Sequence, residues 1–361
     1  MPIRSSVIIE IVAKNFIYIF AVIAFTFIIA CKKSNGFLDN TTKTNLTNVN
    51  GTIIHDNKII APDSGCYAGV SIWTVENNIA LLDNYIALAG KSPNFVMFFS
   101  HWEDNYDRNF NTQGCDSIYS RGCIPYITWC PSSDGSGATQ PKYKLTNITQ
   151  GLFDDYIIQF AKDIKSWNKP VFLRFGMEMN ADWLPWCGNV NGNNNGSDFI
   201  NAWQHIHYIF DSLSVVNVTW LWCPYVESMY NWGDMKQYYP GNEYVDWVGC
   251  DGYGYTPDHW ATAPFEKVFQ STLIKLINTG KPIIIGELAC GEYKADTRWK
   301  RDWMEDAFTK IQNDYPIKAF NWFNYNKEQD WRIESSAASL YTYKSKVSKN
   351  RYFKNAGICI Q

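Results

Sequence analysis

The sequence has 361 residues and a net charge of −3, which is enough chain for one large domain or two ordinary ones. No basic block and no acidic run occurs, which argues against a nucleic-acid partner and an acidic tail. Aromatic residues are abundant, with 16 Trp and 22 Tyr. Many such rings pack in a core, but this number also fits a cleft in which the apolar face of a sugar lies on an aromatic ring.

The N-terminal segment predicts export. Arg4 and Lys14 precede an uncharged run at residues 15–30, which is short for a spanning helix and typical of a signal peptide. Small and apolar residues directly before Cys31 resemble a bacterial lipobox. The resemblance implies that residues 1–30 are removed and that Cys31 is lipidated, which would anchor the protein to a bacterial membrane, in the periplasm or at the cell surface. An uncleaved membrane anchor and a non-lipidated signal peptide remain open, and each also places the folded part outside the cytoplasm.

Residues 31–61 are predicted to form a flexible tether because Asn, Thr, Ser and Gly dominate them. The folded domain is predicted over residues 62–361. Cys115 and Cys123 share one predicted loop, and an oxidising compartment would allow them to form a disulfide. No C-x-x-C spacing occurs, so the sequence indicates no zinc site, and we expect no metal.

From residue 62 onward, predicted strands and helices alternate. Apolar runs predict eight strands, at residues 66–73, 94–102, 124–130, 171–175, 218–224, 244–253, 282–287 and 317–324. Helical spacing or composition predicts helices at residues 77–89, 152–167, 198–213, 264–278, 298–313 and 335–347. This repeat predicts an α/β fold in the form of a single (β/α)8 TIM barrel. No G-x-G-x-x-G motif follows the first strand, so nothing favours a dinucleotide-binding fold.

Two stretches share a layout. Residues 169–180 and 281–287 each begin with Lys-Pro, continue as an apolar strand and carry a Glu near the end, Glu178 and Glu287. The carboxyl ends of barrel strands meet at one face, so the two carboxylates are expected to converge there. Retaining glycoside hydrolysis needs two carboxyls about 5–5.5 Å apart, one protonated while the other is charged. For either Glu taken alone, a structural ion pair is the alternative.

The segment RFGMEMN at residues 174–180, followed by Trp183 and Trp186, resembles the acid/base segment of glycoside hydrolase family 26. The motifs WFN at residues 322–324 and DWR at residues 330–332 resemble the eighth-strand region of the same family. The resemblance covers about residues 65–348. It implies a retaining (β/α)8 glycosidase of the clan that is best known for β-mannanases.

The resemblance also implies roles. Glu178 would be the general acid/base, Glu287 the nucleophile, and Tyr253 the donor of a hydrogen bond to the nucleophile. By residue type, Arg174 is a second candidate to hold the nucleophile ionised through a charge-assisted hydrogen bond. The residues expected to bind substrate are His101, Trp129, Arg174, Asn180, Trp183, Trp186, Asp251 and Trp322. The implied partner is a polysaccharide or oligosaccharide, without nucleic acid. We expect a monomer that needs no cofactor.

One position departs from the family. Mannanases of the family usually have His directly before the acid/base Glu, whereas Met177 stands here and cannot donate a hydrogen bond. The expected substrate is β-1,4-mannan, and mixed-linkage β-glucan and β-1,3-xylan remain open. A non-catalytic glycan-binding lipoprotein on the same barrel is the alternative from another class. An enzyme of the same clan that acts on a bacterial exopolysaccharide is a third possibility.

Overall fold

The computed structural model describes residues 46–49, 52–55, 57–103, 109–227, 234–254 and 263–354. The predicted signal peptide and the predicted lipidation site, Cys31, lie outside these residues. Within the described ranges, every helix is too short or too polar to cross a membrane.

The folded part begins before the predicted boundary at residue 62. An antiparallel sheet is formed by β1 (Leu46–Val49), β2 (Thr52–His55) and β3 (Lys58–Ile59). Ile59 is buried, its main-chain nitrogen donates to Oγ1 of Thr219, and its carbonyl accepts from Nε1 of Trp247. The prediction of a flexible tether is therefore wrong for residues 46–49, 52–55 and 58–59, because polar composition concealed short strands whose last apolar residue packs under the barrel.

A closed barrel of eight parallel strands follows, as the sequence predicts. Its strands are β4 (Tyr67–Ser71), β5 (Phe95–His101), β6 (Ile124–Cys130), β7 (Val171–Phe175), β8 (Val218–Trp222), β9 (Trp247–Gly254), β10 (Ile283–Cys290) and β11 (Ile317–Phe323). Neighbours in the chain are neighbours in the barrel, and β11 pairs with β4 to close it. The carboxyl ends of all eight strands therefore surround one opening.

Helices alternate with these strands. They are α1 (Ala80–Ala89), α2 (Thr112–Tyr119), α3 (Leu145–Thr149), α4 (Asp154–Trp167), α5 (Asn195–Ser212), α6 (Phe265–Ile277), α7 (Trp299–Asn313) and α8 (Ala337–Tyr343). Helix α4 shows why the sequence predicts such elements, since it has Asp154 and Asp155 in its first turn and Lys165 in its last, opposite in sign to the helix dipole. Asn168, in the left-handed conformation, ends it.

Side chains of the barrel strands alternate between two cores. In β11, Ala319 points into the barrel, whereas Phe320 and Trp322 pack outside it against Phe308 of α7. The period of two along a strand produces this alternation. Both faces of each strand are consequently apolar, which is why the strands appear in the sequence as continuous apolar runs.

The described cysteines are free thiols. The predicted disulfide between Cys115 and Cys123 is wrong, because each side chain is buried as an unpaired thiol. Cys130, Cys223, Cys250 and Cys290 are also buried as free thiols, and they pack as small apolar residues.

Candidate active site

Two local irregularities place the two glutamates at the opening of the barrel. Gly176 and Glu178, after β7, both have positive φ angles of 55° and 54°. A Cβ at Gly176 would lie 2.9 Å from Cε2 of Phe199, so glycine is required there for space as well as for backbone angle. A left-handed conformation is uncommon for Glu, and such outliers cluster at functional sites.

Glu287 lies within β10 just after a bulge. Ile285 pairs with Cys250 of β9 and Glu287 with Asp251, so Gly286 is the extra residue on its strand. A Cβ on Gly286 would lie 2.5 Å from Oδ1 of Asp251 and 2.6 Å from Sγ of Cys223. Only glycine allows the strand to pass this close to the buried Asp251.

Carboxylate oxygens of Glu178, Asp251 and Glu287 lie within 4.8 Å of one another. Such a cluster could hold a cation, but Arg174 donates to both oxygens of Asp251, at 2.9 and 2.8 Å, and to Oε1 of Glu287 at 2.6 Å. The chain itself thus supplies positive charge at these carboxylates, and we assign no metal to them. One oxygen of Glu178 and one of Glu287 are therefore no more than 4.8 Å apart.

Glu287 accepts hydrogen bonds on both of its oxygens. Arg174 donates to Oε1, and the hydroxyl of Tyr253 donates to Oε2, as the sequence comparison with the family implies. Burial and the charge of Glu287 raise the pKa of Tyr253, which keeps the phenol protonated as a donor. The ring of Tyr253 is held between Phe323, at 5.6 Å, and Trp331, at 5.2 Å.

Arg174 is completely buried inside the barrel. Besides the two carboxylates, it donates from Nε and Nη2 to Oγ1 of Thr128, at 3.0 and 2.8 Å, and its guanidinium lies over the ring of Tyr126. Asp251 is also fully buried. The prediction that Arg174 and Asp251 bind substrate is wrong, because neither reaches the opening; together they form the floor that supports Glu287.

Glu178 has a different environment. It is 8% exposed, and Nε1 of Trp183 donates to its Oε2 at 2.7 Å. Burial, followed by the negative charge of Glu287, raises the pKa of Glu178 to about 8. Glu178 is therefore mainly protonated at neutral pH, and its proton lies beside a carboxylate that already accepts two hydrogen bonds.

Three predicted sugar-binding tryptophans lie in the core instead. Trp129 is fully buried and stacks on Phe160 of α4, and Trp322 is fully buried, with Nε1 donating to the carbonyl of Trp331. Both belong to the outward-facing set of their strands, which lies under the helices. Trp186 is buried with Nε1 bonded to the carbonyl of Met177. Their predicted contacts with substrate are wrong.

Asn180 is buried too, and its amide donates to the carbonyl of Tyr225 and accepts from the nitrogen of the same residue. Its predicted contact with substrate is wrong, because both ends of the amide join the loop after β7 to the chain after β8. Of the remaining predicted residues, Trp183 is 37% exposed beside Glu178. His101 is half-buried at the end of β5, where Nδ1 lies 3.1 Å from Oγ of Ser132.

Two supporting residues have no predicted role in the sequence analysis. Trp331 packs against Tyr253, and the ammonium of Lys300 on α7 fixes its neighbours by donating to the carbonyls of Asp330 and Arg332. Lys300 is fully buried, although lysine seldom is. The family-like motif at residues 330–332 contains Trp331, so the sequence did offer a signal for its role. Nothing in the sequence around Lys300 distinguishes it from a surface lysine.

Comparison with known proteins agrees with this architecture. The model of glycosyl hydrolase family 26 matches residues 140–349. Endoglucanase H of Acetivibrio thermocellus is 31% identical over 290 residues, which are 79% of this chain and 31% of that protein. The β-1,3-xylanase TXYA of a Vibrio species is 21% identical over 83% of this chain and 65% of its own length. This chain thus spans about a third of the first relative and just under two thirds of the second.

Solved structures have the same fold at low identity. The catalytic domain of the endo-β-1,4-mannanase of Bacillus sp. JAMB-750 superposes with a TM-score of 0.60 at 16% identity, covering 81% of this chain and 88% of that one. The Bacillus subtilis mannanase man26 superposes with a TM-score of 0.56 at 18% identity, covering 83% and 90%. With the family model matching more than half of the sequence, this chain belongs to glycosyl hydrolase family 26.

Proposed function

We propose that this protein is a retaining endo-β-glycosidase that uses Glu287 as the nucleophile and Glu178 as the general acid/base. The observation that carries the proposal is the contrast between two carboxyls whose oxygens approach within 4.8 Å. Glu287 accepts from Arg174 and Tyr253, whereas burial and the charge of Glu287 raise the pKa of Glu178 to about 8. A nucleophile must be ionised when its partner acid is protonated, and the two hydrogen bonds that Glu287 accepts beside a protonated Glu178 support this assignment of roles.

In the first step, an oxygen of Glu287 attacks the anomeric carbon, and the glycosidic C–O bond breaks. Glu178 gives its proton to the departing oxygen, so the leaving sugar departs as an alcohol and a glycosyl ester of Glu287 remains. In the second step, the carboxylate of Glu178 removes a proton from water. That water attacks the anomeric carbon, and the bond to Glu287 breaks, which restores both side chains to their starting states.

Arg174 and Tyr253 act as positioning residues in this scheme. Each donates to a different oxygen of Glu287, which fixes the plane of the carboxylate and stabilises its negative charge before attack and after release. Since Asp251 neutralises part of the charge of Arg174, it adjusts how strongly the guanidinium holds Glu287.

The substrate that we propose is a β-linked glucan of the mixed-linkage type, ahead of β-1,4-mannan and β-1,3-xylan. The relative that is 31% identical is named an endoglucanase, and a mannan endo-1,4-β-mannosidase of Bacillus subtilis matches 30% of this chain. Met177 occupies the position next to Glu178, where its sulfur lies 3.9 Å from the thiol of Cys130. A thioether there offers no hydrogen-bond donor to a sugar.

We further propose that the enzyme works outside the cytoplasm, tethered by a lipid on Cys31. The support is the uncharged run at residues 15–30 directly before that cysteine. Incorporation of labelled palmitate into the full chain, lost in Cys31→Ala, is the expected result. Export without label in the wild type would show an ordinary signal peptide.

The function is tested by release of reducing ends from mixed-linkage β-glucan, β-1,4-mannan, galactomannan, β-1,3-xylan and β-1,4-xylan. Glu287→Gln serves as the blank, since it removes the nucleophile while conserving shape. We expect the wild type to cleave the β-glucan and Glu287→Gln to be inactive. In NMR spectra of the wild-type reaction, the new reducing ends should appear first as the β-anomer. First appearance of the α-anomer would refute double displacement. Tight binding to one polymer without turnover of any would favour a glycan-binding lipoprotein.

A further inference from the structure

A cleft of about 900 Å³ opens at the carboxyl-terminal face, between α1 and the chain that follows β11. Ligand sites commonly have volumes of about 300–1,000 Å³. Helix α1 contributes Leu81, Asn84 and Leu88 to one wall, and residues 324–327 form much of the other. The proposed mechanism uses none of these side chains.

Trp73 is the most prominent residue of this cleft. It follows β4 and is 52% exposed, while five other tryptophans near the ends of barrel strands or in the adjoining loops, Trp102, Trp129, Trp186, Trp222 and Trp322, are buried. The edge-to-face contact with Tyr325, at 5.5 Å between ring centres, fixes the orientation of the indole. An exposed indole that is held in place on the wall of a cleft is suited to bind the flat face of a ligand.

The backbone beside Trp73 is held in an unusual conformation. Thr74 has a φ angle of 53°, which is disfavoured for a β-branched residue. Its carbonyl accepts from the nitrogens of Asn77 and Asn78, at 3.0 and 2.9 Å, which closes the turn. The turn therefore fixes the direction in which Trp73 leaves the strand, and it does so at a cost in backbone strain.

The cleft adjoins the catalytic centre. Tyr325 lines it and stacks on Phe323 at 4.1 Å, and Phe323 contacts Tyr253, the donor to Glu287. Burial and the charge of Glu287 both raise the pKa of Tyr325. Packed rings thus connect Tyr253 through Phe323 and Tyr325 to Trp73, and of these four only Trp73 is exposed.

The lining indicates the chemistry of the ligand. Asn84 and Asn326 offer amide donors and acceptors beside the apolar surface of Trp73. The two cations of the lining are already paired, Arg332 with Asp330 at 2.7 Å and Lys327 with Glu328 at 2.9 Å. The one carboxylate of the lining, Glu334, lies 3.9 Å from Arg332. Apolar faces with polar edges and little free charge match a neutral sugar ring better than a phosphate or a fatty chain.

We propose that this cleft, with Trp73 as its platform, is a distal subsite for neutral sugar residues of the chain that is being cleaved. The inference rests on the proposed function, since it takes the glycan at the catalytic centre to extend into this cleft and reach the exposed ring of Trp73. It assigns to Trp73 a role in binding long substrates, at a sugar residue distant from the bond that is cleaved.

The test compares Trp73→Ala with the wild type on a mixed-linkage β-glucan polymer and on an aryl β-cellobioside. Loss of one stacked ring should reduce the ratio of kcat/KM for polymer over aryl glycoside about tenfold, mainly through a higher KM. Tyr208→Ala is the matched control, since Tyr208 is an exposed ring on α5, and its ratio should equal that of the wild type. Thermal melting of both variants checks that they fold.

A binding measurement separates this proposal from the proposed function. Glu287→Gln, with and without Trp73→Ala, is titrated with cellohexaose by calorimetry, and the dissociation constant should rise about tenfold when the indole is lost. Normal turnover with an unchanged ratio and an unchanged dissociation constant would overturn the subsite and leave the enzyme proposal intact. Absence of turnover in the wild type, with the expected loss of binding, would overturn the enzyme proposal and support the subsite.

Discussion

The ends of β7 and β10 carry the same sequence layout but opposite surroundings. Each strand follows Lys-Pro, is apolar and delivers a glutamate to the opening. Glu287 accepts from a guanidinium and a phenol, while the side chain of Glu178 accepts from an indole and lies beside the carboxylate of Glu287. The difference teaches that the groups packed around a carboxylate, and not the layout of the strand that carries it, determine its hydrogen-bond partners.

Arg174 illustrates this division. It lies on β7, four residues before Glu178, yet its side chain points into the barrel and pairs with Glu287 and Asp251. The period of two along the strand sends Arg174 inward, and the turn with positive φ at Gly176 and Glu178 then directs the glutamate to the opening. One short segment therefore supplies both Glu178 and Arg174, the cation that pairs with Glu287.

Among substitutions that keep the nucleophile, the largest expected effect comes from removing the general acid, Glu178. Glu178→Ala should reduce kcat/KM about 10²–10⁴-fold on a β-glucan, because general acid catalysis contributes that much. An aryl glycoside with a good leaving group needs little protonation, so its glycosylation step should lose much less. Rates on both substrates provide the measurement, with azide added to rescue the second step. Equal losses on the two substrates would argue against an acid role for Glu178.

A smaller effect concerns stability and its dependence on pH. The pKa of Glu178 is about 8 in the folded protein against an ordinary value of 4.5, so the protonated form stabilises the fold below pH 4.5, and this stability is lost as the pH rises toward 8. At pH 7 the loss is about 3 kcal/mol. Glu178→Gln should therefore be more stable than the wild type at pH 7, with the gap closing near pH 4.5.

Urea unfolding at several pH values measures that gap. Glu287→Gln is the matched control, and it should be less stable than the wild type at pH 7, because it removes a charge that pairs with the buried Arg174. If Glu178→Gln and Glu287→Gln changed the free energy of unfolding at pH 7 in the same direction, the two glutamates would not have the opposite surroundings described here.

The smallest expected effect is a shift in a pH profile. The indole of Trp183 lowers the pKa of Glu178 by donating to its charged form, so Trp183→Phe should raise that pKa above its value of about 8. Since the protonated acid is the active form, the alkaline limb of kcat/KM should move to higher pH, by less than about one unit. Phenylalanine retains a ring beside the opening. A limb that stays in place or moves to lower pH would contradict this link.

Several features of the fold were predictable because they depend on local patterns. All eight barrel strands were found, since each is an apolar run with polar or turn-forming residues around it. Helices α2 and α3 were missed because they are short and largely polar. The tryptophans of β6 and β11 were misassigned because both faces of a barrel strand are apolar, so the sequence does not show which face lies under a helix.

The sequence by itself determined the order of strands and helices and the position of two glutamates at strand ends. The signals for these features, which are the length of apolar runs and the placement of proline and glycine, are local to a few residues. Family-like motifs added the bond from Tyr253 to Glu287. Only the tertiary structure decided that Arg174 also pairs with Asp251, 77 residues away, and which rings stay exposed. Those outcomes depend on barrel closure, which brings distant side chains within hydrogen-bonding distance and removes water from around them.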